Sequence, residues 1–500
     1  MGFKEDADFA RFLTMGAYGT AAVKADLEQR GHEVIELERY AMANKVWAVK
    51  VKRLRIPDLL CVKCGRRCES KSKTKLEIKL SHSGTPGREW SAGGMRDGDV
   101  FAFLRVVVES DTPPMIGKPL YVTRAALQEA IASVKEGVRK SISAGSEADV
   151  TWPSWVPGMS GTLNFIAPID PDGNIFYEKS KGGKGVYRNG SKWADAHLYL
   201  EPGDSFEGGF TFVAGCVAPA DVSCPGDVWD WRVALTSDDD GDRYAAVKSC
   251  YFRSPEECES LLSSVAVGEE EDWRIALEAA GVLSLSNPGR WVALLTDSAT
   301  DITLTVEQQM EAVLILSELP SVEAAEGLWR AASVHEGRSE DIRAAAVWGL
   351  GLGAAPWPEK VAEFLDDRSD RVALHAAAAL PEVLPAGVLN QLTDWLATGS
   401  ERQAAVAAGV LARRGYFREL VESGESSGVF GSLIAIRALG DIPQSEVERR
   451  LSGAMSESMM NALKPIWAQH RDWLRRPENE GALDVLDAQQ VRFWNVGGSE

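Results

Sequence analysis

The chain has 500 residues, more than a single hydrophobic core usually fills, and its 45% apolar residues are enough to form several domains. Its longest apolar stretches fall short of the roughly 20 residues that cross a bilayer and its start lacks a secretory pattern, so we expect no membrane span and a cytoplasmic protein. Seven cysteines are too few for a disulfide scaffold, and their thiols should stay reduced.

The net charge of −19 is distributed unevenly along the chain. Residues 1–150 carry 25 Lys and Arg against 20 Asp and Glu, whereas the remainder carries 29 against 53. Residues 41–96 hold 14 basic and four acidic residues, a net charge of +10. Such a concentration of positive charge is typical of a region that binds a polyanion. It predicts a nucleic-acid partner for the N-terminal third, DNA in the first place, with RNA not excluded.

The first 150 residues predict an α/β domain. An amphipathic pattern over residues 9–30 predicts a helix that ends at Gly31, and two strands follow at residues 34–37 and 46–55. The segments LLCV and CESKSKTKLEIKL predict a hairpin, DVFAFLRVVV a further strand, and residues 123–143 a second helix. Helices and strands therefore mix within one domain over residues 1–150.

Two regions of different texture follow. Residues 151–228, rich in Gly, Pro and aromatic residues, predict a small β-rich module with short strands such as TLNFIA, NIFYEK, AHLYLE and GGFTFVAG. Residues 229–475 are rich in alanine and leucine, and similar blocks recur about every thirty residues. Arg343, Arg371 and Arg402 lie 28 and 31 residues apart, each shortly after an acidic residue. This pattern resembles HEAT-like repeats and predicts an α-solenoid before a tail over residues 476–500, with an ordinary helical bundle as the alternative.

One motif in the N-terminal domain points to chemistry. The segment IPDLLCVKCGRRCESKSK contains Pro57-Asp58 and, after ten intervening residues, Glu69-Ser70-Lys71. It resembles the PD-(D/E)xK, or restriction-endonuclease-like, nuclease superfamily. The resemblance implies a helix-flanked sheet in which Asp58 and Glu69 bind Mg²⁺ or Mn²⁺ and Lys71 assists the attacking water. Carboxylate oxygens are suitable ligands for such hard cations, and a bound cation polarises a phosphate and acidifies water.

The hairpin register strengthens the motif. A tight turn centred between Lys63 and Cys64, with Gly65 just after it, pairs positions so that Asp58 lies opposite Glu69. Because side chains alternate along a strand, Lys71 would share a face with Glu69.

A second triplet, Glu77-Ile78-Lys79, competes for the same role because its apolar neighbours give a cleaner buried strand face. Pairing Glu77 with Asp58 would centre the turn between Arg67 and Cys68, away from the glycine. We favour Glu69 and keep Glu77 and Lys79 as the alternative pair.

Basic side chains near the motif are the candidates for phosphate contacts. They are Lys73, Arg53, Arg55, Arg66 and Arg67. The alternative to a catalytic site is a solvated strand face, on which alternating charged residues do no chemistry.

Three cysteines of the hairpin, Cys61, Cys64 and Cys68, suggest a zinc knuckle. A closed structural zinc site needs four ligands, and His82 is the nearest candidate for the fourth. A tight hairpin with cysteines that pack without metal is equally compatible with the sequence. Four further cysteines form two pairs of identical spacing and have no assigned role: Cys216 with Cys224, and Cys250 with Cys258.

Together these features predict a Mg²⁺-dependent endonuclease that hydrolyses DNA, with the acidic solenoid as a regulatory or protein-binding arm. By architectural analogy alone, this combination is similar to prokaryotic anti-phage or restriction proteins. Cutting both strands would favour a homodimer. The alternative is a non-catalytic scaffold in which a degenerate nuclease fold binds nucleic acid and the repeats bind a protein partner.

Overall fold

The computed structural model separates into two compact units, which we call the sheet unit (residues 14–38 and 54–249) and the helical unit, whose described residues are 7–13 and those from 250 onwards. The residues that the structure describes are 7–37, 56–74, 80–82, 95–109, 112–133, 148–150, 156–157, 162–165, 175–179, 183–187, 205–207, 210–211, 220–269, 272–333, 339–440, 442, 444–451 and 456–468. The strand predicted at residues 46–55 lies outside them, as do Arg53, Arg55, Glu77 and Lys79.

The first helix, α1 (Ala7–Gln29), packs an apolar face onto the sheet unit's core, where Val23 and Leu27 are buried. Gly31, with a φ of 89°, ends the helix, and the backbone N–H of His32 donates to the carbonyl of Leu27 over 3.1 Å. Glycine favours this left-handed conformation because it has no Cβ. The predicted helix and its end at Gly31 are confirmed.

A mixed sheet forms the centre of the sheet unit. The strands of this region are β1 (Val34–Glu36), β2 (Leu59–Cys61), β3 (Arg67–Lys73), β4 (Leu80–His82), β5 (Val100–Glu109), β6 (Thr112–Ile116) and β7 (Leu120–Thr123). All of them except β4 belong to the sheet. The strands β1, β2 and β3 pair antiparallel in that order, β5 lies parallel to β3, and β6 and β7 pair with β5. Helix α2 (Arg124–Ser133) follows β7 directly. The predicted mixture of helix and sheet in the N-terminal region is confirmed.

Short strands continue beyond this sheet. They are β8 (Ala148–Val150), β9 (Val156–Pro157), β10 (Thr162–Phe165), β11 (Ile175–Lys179), β12 (Lys184–Tyr187), β13 (Ser205–Glu207) and β14 (Phe210–Thr211). The strands β10 to β13 form a sheet in the order β12-β11-β10-β13, while β9 pairs with β14 and β8 with β4. Predicted strands TLNFIA and NIFYEK correspond to β10 and β11, and AHLYLE lies outside the described residues.

Two short helices complete the sheet unit: α3 (Trp231–Leu235) and α4 (Asp240–Ser249). The buried guanidinium of Arg67 on β3 forms an ion pair with Asp242 of α4. The sequence predicted that the helical region begins at residue 229 as a separate domain. The helices α3 and α4 group with the sheet in the compact unit that ends at residue 249, and the domain boundary at residue 229 stays a prediction.

The described part of the helical unit from residue 250 onwards consists of successive α-helices and a π-helical turn (Val265–Glu269). Its helices are α5 (Pro255–Ser264), α6 (Trp273–Leu283), α7 (Pro288–Thr300), α8 (Val306–Glu318), α9 (Val322–Ser333), α10 (Glu340–Leu352), α11 (Pro358–Ala362), α12 (Asp370–Ala379), α13 (Ala386–Thr398), α14 (Glu401–Arg413), α15 (Phe417–Ser426), α16 (Gly428–Gly440), α17 (Gln444–Leu451) and α18 (Glu457–Ala468).

Helices of this unit contact their neighbours and next-but-one neighbours along the chain. Helix α9 packs against α7, α8 and α10, and α14 packs against α13 and α16. Such near-neighbour packing is what a stacked helical repeat requires. The arrangement is consistent with the predicted solenoid. Among the described residues, no helix is both long and apolar enough to cross a membrane.

Candidate functional site

The hairpin β2–β3 carries the sequence motif. Its turn has Gly65 at a φ of 68°, the backbone N–H of Gly65 donates to the carbonyl of Cys61 over 2.8 Å, and the N–H of Cys61 donates to the carbonyl of Arg66 over 2.9 Å. Leu59 pairs with Cys68 and Leu60 with Arg67. This register is the one predicted from the turn at Lys63 and Cys64, and it is confirmed.

Asp58 directly precedes β2, and the next pair outward in this register is Asp58 with Glu69. One carboxylate oxygen of Asp58 accepts a hydrogen bond of 2.7 Å from the backbone N–H of Ser70. The carbonyl of Asp58 accepts a second bond, of 2.8 Å, from the N–H of Leu37. Asp58 is therefore anchored on both sides, to β3 through its side chain and to the end of β1 through its backbone.

Glu69 and Lys71 lie on the same face of β3, as their alternation predicts, and their side chains form an ion pair. Both are partly exposed, at 23% and 33% of their side-chain surface, so the pair is accessible to solvent. The opposite face points into the core, where Cys68 is fully buried.

The charges of Asp58 and Glu69 both act on the buried thiol of Cys68. Burial raises the pKa of the Cys68 thiol well above its usual value, and the negative charges of Asp58 and then Glu69 raise it further. Asp58, Glu69 and Lys71 all lie on this hairpin, and they are the residue types that the nuclease resemblance requires.

The predicted phosphate-binding residues have different environments. Lys73 lies at the end of β3 and is half-buried, and Arg66 is half-buried with its guanidinium donating to the carbonyl of Asp221 over 3.3 Å. Arg67 is only 2% exposed, and its guanidinium pairs with Asp242. Because its guanidinium is buried and already paired with a carboxylate, Arg67 is not available to contact a phosphate.

A second cluster lies at the other end of the hairpin. The ligand atoms of His32, Cys61, Cys64 and Cys224 all lie within 4.8 Å of one another, a group able to hold a metal ion. The predicted trio is therefore corrected: Cys61 and Cys64 belong to the cluster, but Cys68 does not, because it points into the apolar core. The side chain of His82, the predicted fourth ligand, lies outside the described residues.

Hydrogen bonds within this cluster shift the pKa values of its members. A hydrogen bond from Cys64, followed by one from His32, lowers the pKa of Cys61, whereas the hydrogen bond to Cys61 raises the pKa of Cys64. Burial disfavours the protonated His32 imidazole, but its hydrogen bonds to Cys61 and to the Val222 carbonyl raise the pKa of His32 overall. Cys61 is thus the group that carries negative charge most readily.

Sequence reasoning missed His32 and Cys224 because both are remote from the CxxC turn along the chain. The available signals were weak: His32 follows the glycine that ends α1, and Cys224 precedes a Pro-Gly turn. Models of known protein families and curated protein sequences were both compared with this chain, and neither gave a match.

Proposed function

We propose that the sheet unit is a metal-dependent endonuclease of the PD-(D/E)xK type that hydrolyses DNA. The observation that carries the proposal is the hairpin register, in which Asp58 stands opposite Glu69 and is hydrogen-bonded to β3, while Lys71 lies beside Glu69. Two acids and a lysine in such an arrangement are suited to phosphodiester hydrolysis.

The surrounding sheet supports this proposal. Helix α1 covers one side of an antiparallel run of β1, β2 and β3, and β5 then extends the sheet parallel to β3. The superfamily resemblance implies a helix-flanked sheet that presents its motif from adjacent strands. The motif residues of this chain come from such adjacent strands.

The donor chemistry fits a hard divalent cation, because both acids offer carboxylate oxygens from neighbouring strands. Asp58 and Glu69 would hold the ion, and a bound Mg²⁺ or Mn²⁺ would polarise the phosphate and acidify a water. The Ser70 N–H fixes the orientation of Asp58. Lys71, already paired with Glu69, has its ammonium positioned to orient a water or to stabilise charge that develops on the phosphate.

The charge distribution indicates the substrate. Residues 41–96 have a net charge of +10, and Lys73 and Arg66 lie on the same hairpin as the acids. Positive charge near the acids favours the phosphate backbone of a nucleic acid. The helical unit, which resembles HEAT-like repeats and lies in the acidic remainder of the chain, is proposed as the protein-binding arm.

Cleavage of supercoiled plasmid with Mg²⁺ or Mn²⁺ tests the proposal. We expect the wild type to cut and Asp58→Asn and Glu69→Gln to lose cutting by at least about a hundredfold, because each removes one ligand charge and preserves shape. Lys71→Ala should reduce cutting to a similar extent, whereas Lys79→Ala should do so only if the second triplet is catalytic.

The matched control is Asp97→Asn, an exposed acid of the same unit that pairs with Arg124, and it should cut like the wild type. Single-stranded DNA and RNA offered in parallel identify the preferred polymer. If the wild type binds DNA but no polymer is cut with either metal, the chain is the non-catalytic scaffold. The ion pair between Glu69 and Lys71 would then be structural.

A further inference from the structure

Three separate segments of the sheet unit meet at the cluster of His32, Cys61, Cys64 and Cys224. His32 follows the end of α1, Cys61 and Cys64 flank the β2–β3 turn, and Cys224 lies in the segment that leads to α3. We propose that these four side chains hold one structural Zn²⁺ in a closed tetrahedral site. The proposal is independent of the nuclease proposal and goes beyond it.

The distances between ligand atoms match those of tetrahedral zinc. With the usual Zn–S and Zn–N lengths, tetrahedral geometry separates two sulfurs by about 3.8 Å and a sulfur from an imidazole nitrogen by about 3.6 Å. The Sγ atoms of Cys61 and Cys224 are 4.0 Å apart, and the Nδ1 atom of His32 is 3.6 Å from the Sγ of Cys64. The remaining pairs of ligand atoms lie within 4.8 Å of one another, so metal binding would require shifts of about 1 Å or less.

The imidazole of His32 is held in the form that binds a metal. Its Nε2 atom lies 2.6 Å from the carbonyl oxygen of Val222, which can only accept a hydrogen bond. A proton therefore sits on Nε2, so Nδ1, the nitrogen that faces the cysteines, is the one that would bind a metal. Metal-binding histidines generally have their second nitrogen fixed by such a contact, and here the contacting residue lies two positions before Cys224.

The backbone around the cluster is already fixed by hydrogen bonds. The N–H of Cys224 donates to the carbonyl of Arg30 over 3.2 Å, which joins the cysteine to the end of α1. The N–H groups of Val228 and Trp229 donate to the carbonyl of Lys63, inside the turn, over 3.1 and 3.0 Å. These bonds bring the three segments together without metal, so the ligands are preorganised.

The ligand set determines both the metal and its role. Three thiolates and one imidazole are soft ligands that favour zinc over magnesium or calcium, and four protein ligands leave no open position for a substrate or water. The zinc would therefore be structural and distinct from the ion proposed at Asp58 and Glu69. It would link the β2–β3 turn to a segment about 160 residues away, a long loop closure that stabilises the folded state.

Metal content of the full-length chain, purified under reducing conditions from zinc-supplemented cells, tests this site. We expect about one zinc per wild-type chain and its loss in Cys224→Ser and His32→Ala. Cys68→Ser and Cys258→Ser are matched controls, since both remove a buried cysteine outside the cluster, and both should retain the zinc. Substitution of Co²⁺ into the wild type should give the intense thiolate charge-transfer and tetrahedral absorption bands of a Cys₃His site.

His32→Cys separates loss of a ligand from loss of folding. It offers a fourth thiolate, so it should retain zinc and show a stronger thiolate band with cobalt. A folded wild type that contains no zinc and binds no Co²⁺ would overturn the proposal. Full zinc content in Cys224→Ser would also overturn it. So would a disulfide between Cys61 and Cys224, found by mass spectrometry in the protein purified under reducing conditions. None of these readouts depends on DNA cleavage.

Discussion

Arg343 and Asp367 form a buried, two-pronged ion pair in the helical unit. The Nη1 and Nη2 atoms of Arg343 donate to the two carboxylate oxygens of Asp367 over 3.1 and 2.5 Å, and its Nε donates to the carbonyl of Ala332 over 2.8 Å. Both side chains are only 5% exposed. Arg343, on α10, thus joins the end of α9 to the segment just before α12.

Removal of Arg343 should destabilise the helical unit strongly. In Arg343→Met the carboxylate of Asp367 stays buried without its cation, which costs about 3–5 kcal/mol. Urea unfolding followed by far-UV circular dichroism measures the loss. The matched control is Arg449→Met, because Arg449 pairs with Glu446 over 2.8 Å at a surface where 66% and 31% of the two side chains are exposed. That pair should contribute less than about 1 kcal/mol, and equal losses in the two variants would contradict the argument.

The regular spacing of three arginines shows what a sequence can predict about the repeat and what it cannot. The positions of Arg343, Arg371 and Arg402 predict a repeat of about thirty residues. In the structure Arg371 pairs with Asp341 over 2.6 Å, and Arg402 pairs with Asp370. Each of these two arginines therefore reaches back to the acid of the preceding block. Periodicity along a sequence shows that equivalent residues recur, but only the stacking of helices shows which acid each arginine meets.

The turn of the β2–β3 hairpin supplies a second prediction, at Gly65. Besides its φ of 68°, a Cβ at this position would lie 2.5 Å from the indole ring of Trp229. Gly65→Ala combines left-handed backbone strain with this clash and should cost about 2 kcal/mol or more. Gly226→Ala is the control, since its φ of 95° gives similar strain while no described atom lies within 4 Å of its Cβ.

The difference between these two glycine variants measures the contact with Trp229. Thermal unfolding of the sheet unit should place Gly226→Ala about 1 kcal/mol below the wild type, with Gly65→Ala clearly lower. Equal melting temperatures would show that Trp229 moves aside without cost. In that case the turn would not be held by the indole ring.

The two candidate sites of the sheet unit differ in how much of each can be predicted from the sequence. Asp58 and Glu69 face each other because a hairpin obeys a local rule: once Gly65 fixes the turn, every pair of the ladder follows. The proposed zinc ligands obey no such rule, since His32 and Cys224 meet the turn only through tertiary packing. Strand alternation also places Cys68 on the core face of β3, the face that Glu69 does not share, so the local pattern alone separates Cys68 from the other two cysteines of the hairpin.

Close helix packing gives a third prediction, at Gly349 on α10. A Cβ there would lie 2.7 Å from the Cβ of Ser317, at the end of α8. Gly349→Ala should therefore push the helices apart and cost about 1–3 kcal/mol. Gly409 lies in the middle of α14 with no described atom within 4 Å of its added Cβ, so Gly409→Ala should raise stability by up to about 1 kcal/mol. Opposite signs in urea unfolding are expected, and stabilisation by both would refute the packing argument.

The fourth prediction concerns His375, whose side chain is completely buried on α12 and whose Nδ1 lies 2.8 Å from the carbonyl of Arg371. Burial, and secondarily the charge of Arg371, lower the pKa of His375 to about 4. An unfolded chain has a histidine pKa of about 6.5, so below that pH the unfolded state binds the extra proton first and stability falls. The loss should begin near pH 6.5 and reach roughly 3 kcal/mol near pH 4, with little change above pH 7.

Comparison with His375→Gln isolates this contribution from all other titrating groups. Glutamine stays neutral in the folded and unfolded states, so the variant keeps the pH dependence of the carboxylates and loses that of the imidazole. Its stability relative to the wild type should therefore improve as the pH falls from about 7 to about 4, by roughly the amount the wild type loses through His375. The substitution also alters packing and the bond to Arg371, so the two proteins will differ in their free energy of unfolding at neutral pH. The test is how this difference, the offset between the two proteins, changes with pH. An offset that stays constant across this range would mean that His375 is protonated in the folded helical unit as readily as in the unfolded chain.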